Sequence, residues 1–276
     1  MKPCVKYGEV FKKLRKQKGF KLTSFIQVGI SPAALCKFEN GKSMIKFDKF
    51  NLALSALSIT LSEYEKCLKD FHLEVHEMLI KKTITIIISG EYDDLKECYV
   101  EFMRLNERAC AIAVKSMYEK LSGDDLDWIG DYFDSLTYWR YIDLYTLYLM
   151  VDCLKVRQLA YLLEGFFISD GFYKIFNSQE HRGRFAHIVC KSVICLSYKG
   201  HEQMTKHFLD YINPQKFNHT MYTKNLYDFA KGYWCAEFES RIKGDQMMKK
   251  ALLRFKELSA PGVSEYYEKI CEKYKN

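Results

Sequence analysis

Turn chemistry divides most of this chain into helix-length pieces. Beyond about residue 72, breaks fall at Ser89-Gly90, Ser122-Gly123, Lys199-Gly200, Asn213-Pro214, Lys243-Gly244 and Pro261-Gly262. Between them the sequence reads as amphipathic helix, over 72–88, 92–105, 107–121, 124–137, 141–154, 156–169, 180–199, 201–212, 221–241, 245–258 and 263–274. Only 4 prolines occur in 276 residues, so little interrupts long helices. Taken in pairs the helices recur at about 35–40 residues, which predicts an α-helical repeat superhelix. Tyr222 to Tyr233 has the large-small-aromatic spacing of packed helix pairs, but no clean Trp-x-x-Leu-Gly pattern repeats. Another all-helical array fits the composition equally.

At 48% hydrophobic the chain can bury a sizeable core, which excludes general disorder. It has no run of about 18 apolar residues, so no membrane-spanning helix is expected. Its N-terminus, MKPCVKYGEVFKKLRKQ, lacks an apolar signal core, which predicts a cytoplasmic protein. The 10 cysteines form no Cys-x-x-Cys pair and sit mostly among apolar neighbours, as in Ile188-Val189-Cys190. They read as reduced, buried thiols rather than zinc or redox sites.

The charge is unevenly placed. Residues 1–70 hold 14 bases against 6 acids, a net of +8, while the rest of the chain holds 28 against 29. A small basic head followed by a neutral body predicts two domains, 1–70 and 71–276, the first of which binds a polyanion.

The head has its own pattern. Val10, Leu14 and Gln17, with Phe11 beside them, form one face of a helix, and Lys12, Lys13, Lys16 and Lys18 the other. Gly19 ends it. A second helix runs from about Leu22 to Val28, and Gly29 makes a sharp turn. Ser31 is a good N-cap and Pro32 suits the first position of a third helix, which stops at Asn40-Gly41. Helices follow over about 47–57 and 61–68, with Ser62-x-x-Glu65 as a capping box for the latter. Helix, glycine turn, helix is the arrangement of a helix-turn-helix. If the third helix enters a major groove of double-stranded DNA, Ser31, Ala33, Ala34 and Lys37 meet base edges, and Thr23, Lys42 and Lys46 meet phosphates.

Three pieces, Gly8-x-x-Phe11-Lys12-x-Leu14-Arg15, Gly29-Ile30-Ser31 and Leu35-x-x-Phe38-Glu39-x-Gly41-Lys42, together with Ile59-Thr60-Leu61-x-Glu63-Tyr64, resemble the helix-turn-helix domain of the Rgg/GadR/MutR family. The resemblance implies that Arg15 and Glu39 form an internal ion pair bracing the first helix on the third. Phe25 stands where this domain class usually has a small Ala. Further on, Phe176-Asn177-x-x-Glu180-His181-x-x-Arg184, the run from Asn213-Pro214 to Gly232, and Tyr266-Tyr267-Glu268 resemble the family's C-terminal portion. That implies a five-repeat body that dimerises and binds a short signalling peptide on its concave surface. Cys190 stands where related proteins often have Asn.

A groove lined by Tyr, Asn and charged side chains suits an extended peptide, because amides can pair with its backbone. The candidates are Tyr148, Asp152, Arg184, Lys191, Tyr222, Asn225 and Asp228, with Asn225 as the backbone clamp. No Gly-rich phosphate loop, Gly-x-Ser-x-Gly elbow or His-Glu-x-x-His occurs, so neither enzyme activity nor a cofactor is expected. His72 and His76 share a helix face but make at most half a metal site. Asp124-Asp125-x-Asp127 reads as an acidic helix N-terminus. The pattern predicts a homodimeric, peptide-responsive transcription regulator. A helical protein-interaction scaffold and a regulator with a non-peptide ligand are the alternatives.

Overall fold

A computed structural model describes residues 3–68, 75–168, 179–213, 220–258 and 261–273. Among them every regular element is helical. The chain divides into two compact units, residues 1–75 and 76–276. The expected boundary at residue 70 lies outside the described residues.

In the first unit, α1 (Pro3–Gln17) leads to a 3₁₀ helix (Leu22–Val28), α2 (Pro32–Glu39), α3 (Phe47–Ala56) and α4 (Leu61–Leu68). The expected second helix is present over the expected span as a 3₁₀ helix and ends on Gly29 at φ 75°. Its one buried side chain, Phe25, meets Phe11 edge-on at 5.6 Å. Five aromatic rings, Phe11, Phe25, Phe38, Phe50 and Tyr64, dominate this unit's core, and Phe25 has its room among them. On α1 the buried face is Val10, Phe11 and Arg15, while Gln17 is exposed. Of the expected stripe, Val10 and Phe11 are buried and Leu14 half-buried, while the implied internal Arg15 completes the face in place of Gln17. The cap of α4 also differs from expectation. Thr60 and Glu63 form it: the Thr60 amide donates to the Glu63 carboxylate at 2.7 Å, and the Glu63 amide to Thr60 Oγ1 at 3.1 Å. Ser62 and Glu65 stand two residues too late, since the helix begins at Leu61.

The second unit contains α5 (Val75–Ser89), α6 (Leu95–Arg104), α7 (Arg108–Lys115), α8 (Gly123–Ser135), α9 (Tyr141–Met150), α10 (Val156–Ile168), α11 (Gln179–Tyr198), α12 (Glu202–Tyr211), α13 (Met221–Phe238), α14 (Arg241–Leu258) and α15 (Val263–Lys273). Alternate helices α7, α9, α11 and α13 contact one another in succession. Each has more than half of its residues buried, as an inner row requires. Outside them, α6 and α8 pack on α7, α10 and α12 on α11, and α14 on α13. This is the expected all-α superhelix of helix pairs.

Most turns fall where glycine was read. Gly90, Gly200 and Gly262 adopt φ of 81° to 86°, a region in which other residues are strained. Ser122 caps α8 by accepting from the Asp125 amide at 3.1 Å, with Asp124 and Asp125 in the first turn. The break expected at Lys243-Gly244 is absent. There α14 runs straight through, because Gly244 lets two helices touch: a Cβ on it would stand 2.3 Å from the Ala236 backbone nitrogen and 2.5 Å from the Gly232 carbonyl oxygen. Among the described residues no helix is long and apolar enough to cross a membrane.

Candidate nucleic-acid interface and ligand cavity

The helix-turn-helix geometry follows from three local devices. Gly29 takes the left-handed conformation, Ser31 Oγ accepts from the Ala34 amide at 3.2 Å, and Pro32 occupies the first turn of α2. Leu35, Phe38 and Glu39 then face inward. Helix α1 crosses α2 closely enough that a Cβ on Gly8 would lie 1.9 Å from the Phe38 carbonyl oxygen. Beside that contact Arg15 and Glu39 form the implied pair, with Nε–Oε1 at 2.5 Å and Nη2–Oε2 at 2.8 Å. Arg15 Nη1 also donates to the Phe20 carbonyl at 2.7 Å, so both charges are buried and satisfied. Glu39 holds the Arg15 guanidinium above its ordinary pKa.

What this scaffold leaves outside is the candidate DNA face. Ser31, Ala33, Ala34, Lys37, Lys42, Lys46 and Thr23 are all exposed. Ala33, Ala34 and Lys37 share a helix face by their three- and four-residue spacing, and no acid occurs in the first turn of α2. Sequence reasoning missed Lys49. A Cβ on Gly29 would stand 2.7 Å from Lys49 Nζ, so this ammonium lies over the turn.

In the second unit the last helix, α15, lies against the inner row. Tyr266 shares a hydrogen bond with Tyr148 of α9 at 2.8 Å, and Tyr267 with Tyr222 of α13 at 3.3 Å. Lys273 reaches Asp152 at 2.9 Å. Between these helices is a cavity of about 90 Å³, lined by Ile84, Ile87, Ile88, Tyr145, Tyr148, Arg184, His187, Tyr222, Val263, Tyr266 and Tyr267.

Arg184 gives this cavity its chemistry. Its guanidinium carbon lies 5.7, 5.3 and 5.3 Å from the ring centres of Tyr141, Tyr145 and Tyr148. Nη2 donates to the Tyr141 hydroxyl at 3.2 Å, and Nε is buried without a partner. No acid pairs with it among the described residues. Desolvating a charge costs several kcal/mol, of which ring faces each return about 0.5–2 kcal/mol. The Tyr145 hydroxyl is also buried and unpaired. His187 is pushed down to about 3 by burial and by the Arg184 charge, so it is neutral. Burial raises the Tyr266 and Tyr267 hydroxyls, which remain protonated.

The seven body candidates separate. Tyr148, Arg184 and Tyr222 line the cavity. Lys191 and Asp152 adjoin it but are committed internally: Lys191 Nζ donates to the Tyr148 carbonyl at 3.0 Å and lies 3.3 Å from Asp152. Asn225 and Asp228 belong to a different contact. The Asn225 amide donates to the Ala251 carbonyl at 2.9 Å and accepts from Arg254 Nη1 at 3.4 Å. Asp228 pairs with Lys224 and, at 3.1 Å, with Arg254. Asn225 therefore braces α13 on α14, and the clamp expected of it gives way, since its amide already has a protein partner. Cys190 is fully buried, and burial raises its thiol. Tyr141, Tyr145, His187, Tyr266 and Tyr267 were missed, although Tyr141-x-x-x-Tyr145-x-x-Tyr148 is a visible stripe.

Among the described residues no cluster of three or more metal-ligating side chains occurs. His72 lies outside them, as do Phe176-Asn177 and part of the run after Asn213. His76 Nε2 stands 3.5 Å from Glu107.

Comparison with known proteins agrees with both units. The chain is similar to the Streptococcus dysgalactiae SHP pheromone receptor Rgg2 at 17% identity, with 97% of this chain and 100% of that one covered and a TM-score of 0.76. A protein from Listeria monocytogenes EGD-e is similar at 14% identity, 98% and 97% coverage and a TM-score of 0.76. The PrgX/cCF10 complex is similar at 11% identity, 99% and 94% coverage and a TM-score of 0.69. At these identities the likeness is one of fold. The sequence itself carries the family: residues 89–269, well over half of the chain, match the C-terminal domain of the HTH-type transcriptional regulator Rgg, and the chain belongs to the Rgg family.

Proposed function

We propose that this chain is a cytoplasmic transcription regulator that binds double-stranded DNA as a homodimer and responds to a short signalling peptide held in its second unit. Family membership, the exposed and acid-free outer face of α2, and the net charge of +8 over residues 1–70 support the DNA half. Ser31, Ala33, Ala34 and Lys37 take base edges, while Thr23, Lys42, Lys46 and Lys49 take phosphates. The peptide half is supported by the fold likeness to a pheromone receptor and to a bacterial peptide pheromone/receptor complex. The observation that carries the ligand reading is the cavity around Arg184, which combines a half-buried cation without an acid partner, an unpaired hydroxyl and apolar walls. A single recognition helix gives limited affinity, so two half-sites and a dimer of twice 32.6 kDa are expected.

Gel-shift titrations of the full chain against specific and random duplexes test the DNA half. Lys37→Ala should weaken specific binding by about 1–3 kcal/mol more than non-specific binding; equal losses would make Lys37 a phosphate contact. Light scattering of the full chain tests the dimer, and a monomer at micromolar concentration would refute it. Mass spectrometry of small peptides retained by the full chain tests the ligand.

A further inference from the structure

We infer that the cavity bounded by α5, α9, α11, α13 and α15 is a carboxylate-binding site, with Arg184 as its cation and the Tyr145 hydroxyl as its second donor. The inference rests on the peptide reading above and adds which part of the peptide enters: its free C-terminal carboxylate.

Three observations meet here. First, Arg184 is a cation held among three tyrosine rings with no acid opposite it, and its Nε has no acceptor. Nearby Lys191, the more deeply buried cation, is instead given Asp152 at 3.3 Å and a backbone carbonyl. Second, Tyr145 is completely buried, lines the same cavity, and its hydroxyl has no partner. An unpaired donor beside an unpaired cation is the inventory that a carboxylate, acceptor-only on two oxygens, completes. Third, about 90 Å³ admits several waters or one small charged group with the atom that carries it. The remaining walls, Ile84, Ile87, Ile88 and Val263, are apolar and suit the aliphatic chain leading to such a group. His187 does not compete as a donor of charge, being neutral, and no described acid lines the space.

A carboxylate can come from a chain terminus or from an acidic side chain, and the experiment separates the two. Melting of the full chain is followed with N-acetylglycine and with N-acetylglycinamide. N-acetylated apolar peptides are then offered in three forms: free acid, C-terminal amide, and amide carrying one internal Glu. N-acetylglycine should raise the melting temperature and its amide should not. Free-acid peptides should be retained about tenfold better than amides, as expected for loss of a charged hydrogen-bond partner. Arg184→Met should abolish both differences. It should also raise the ligand-free melting temperature, since it removes an uncompensated charge; a merely structural arginine would lower it. Tyr145→Phe, which keeps the ring, should fold and weaken the acid preference.

Equal responses to acid and amide probes, or an acid preference that survives Arg184→Met, would overturn the carboxylate site. Retention of free acids and amides alike would do so while leaving the peptide reading standing. A response to N-acetylglycine with no peptide retained would keep the site and remove the peptide reading. Retention of the Glu-bearing amide, lost in Arg184→Met, would keep the carboxylate chemistry and assign it to a side chain.

Discussion

Asn225 and His187 show how far a polar side chain's duty depends on its neighbours. The Asn225 amide spans α13 and α14 through Ala251 and Arg254. Asn225→Ala removes one buried hydrogen bond and a contact to a charged group, so it should cost about 1–2 kcal/mol in urea unfolding. Unchanged stability with a lost ligand response would restore the clamp instead. His187 predicts a pH dependence. In the unfolded chain it takes up a proton near its usual pKa of 6.5, whereas in the folded chain it does so only at about 3. Between those values the unfolded state holds more protons. Stability from this group is therefore complete above about 6.5 and falls as pH drops, by about 1 kcal/mol per pH unit. Urea unfolding at pH 7 and pH 5 should show the loss, and His187→Gln should remove that share of it. An identical pH slope in the variant would contradict the burial assigned to His187.

At the scale of the element, two glycines with the same sequence appearance do opposite things. Gly200 turns the chain at φ 81° with open space around its Cα, while Gly244 sits inside α14 and is held against α13 by backbone atoms. Gly200→Ala should cost about 1 kcal/mol of conformational strain. Gly244→Ala forces two backbones apart and should cost about 3 kcal/mol or more. Denaturant midpoints of the two variants check the order, and a milder loss for Gly244→Ala would contradict the close crossing. This pair also explains what the sequence made legible. Helix ends were readable where a cap or a left-handed glycine set them, as at Ser31, Ser122 and Gly90. The break at Gly244 was misread because a missing Cβ looks the same whether it serves a turn or a packing contact. The cap at Thr60 was misplaced because two Ser/Thr-x-x-Glu spacings overlap there. Tyr148, Arg184 and Tyr222, which line one cavity, could be named as candidates from type and helix face. Tyr145 and Tyr266 could not, since only the packing of α15 on the inner row turns them into walls of one cavity.

The whole molecule carries two separate cores. One is built on Phe11, Phe25, Phe38, Leu54 and Tyr64, the other on residues from Leu79 to Cys271, and they share no buried residue. The spectroscopic labels are just as divided: all 3 tryptophans, Trp128, Trp139 and Trp234, belong to the second unit. Tryptophan fluorescence therefore reports melting of the second unit, and DNA retention reports the integrity of the first. Phe11 is fully buried and touches Phe25, Phe38 and Phe50 within 6 Å, so Phe11→Ala should remove about 3–5 kcal/mol from a small unit. That is most of what so small a core supplies. In the full chain, Phe11→Ala should abolish retention on DNA while the tryptophan-detected melting temperature and the response to N-acetylglycine stay unchanged. A matching drop in the tryptophan transition would mean that the two units unfold as one cooperative body, and the division into a reading head and a sensing unit would then lose its energetic basis.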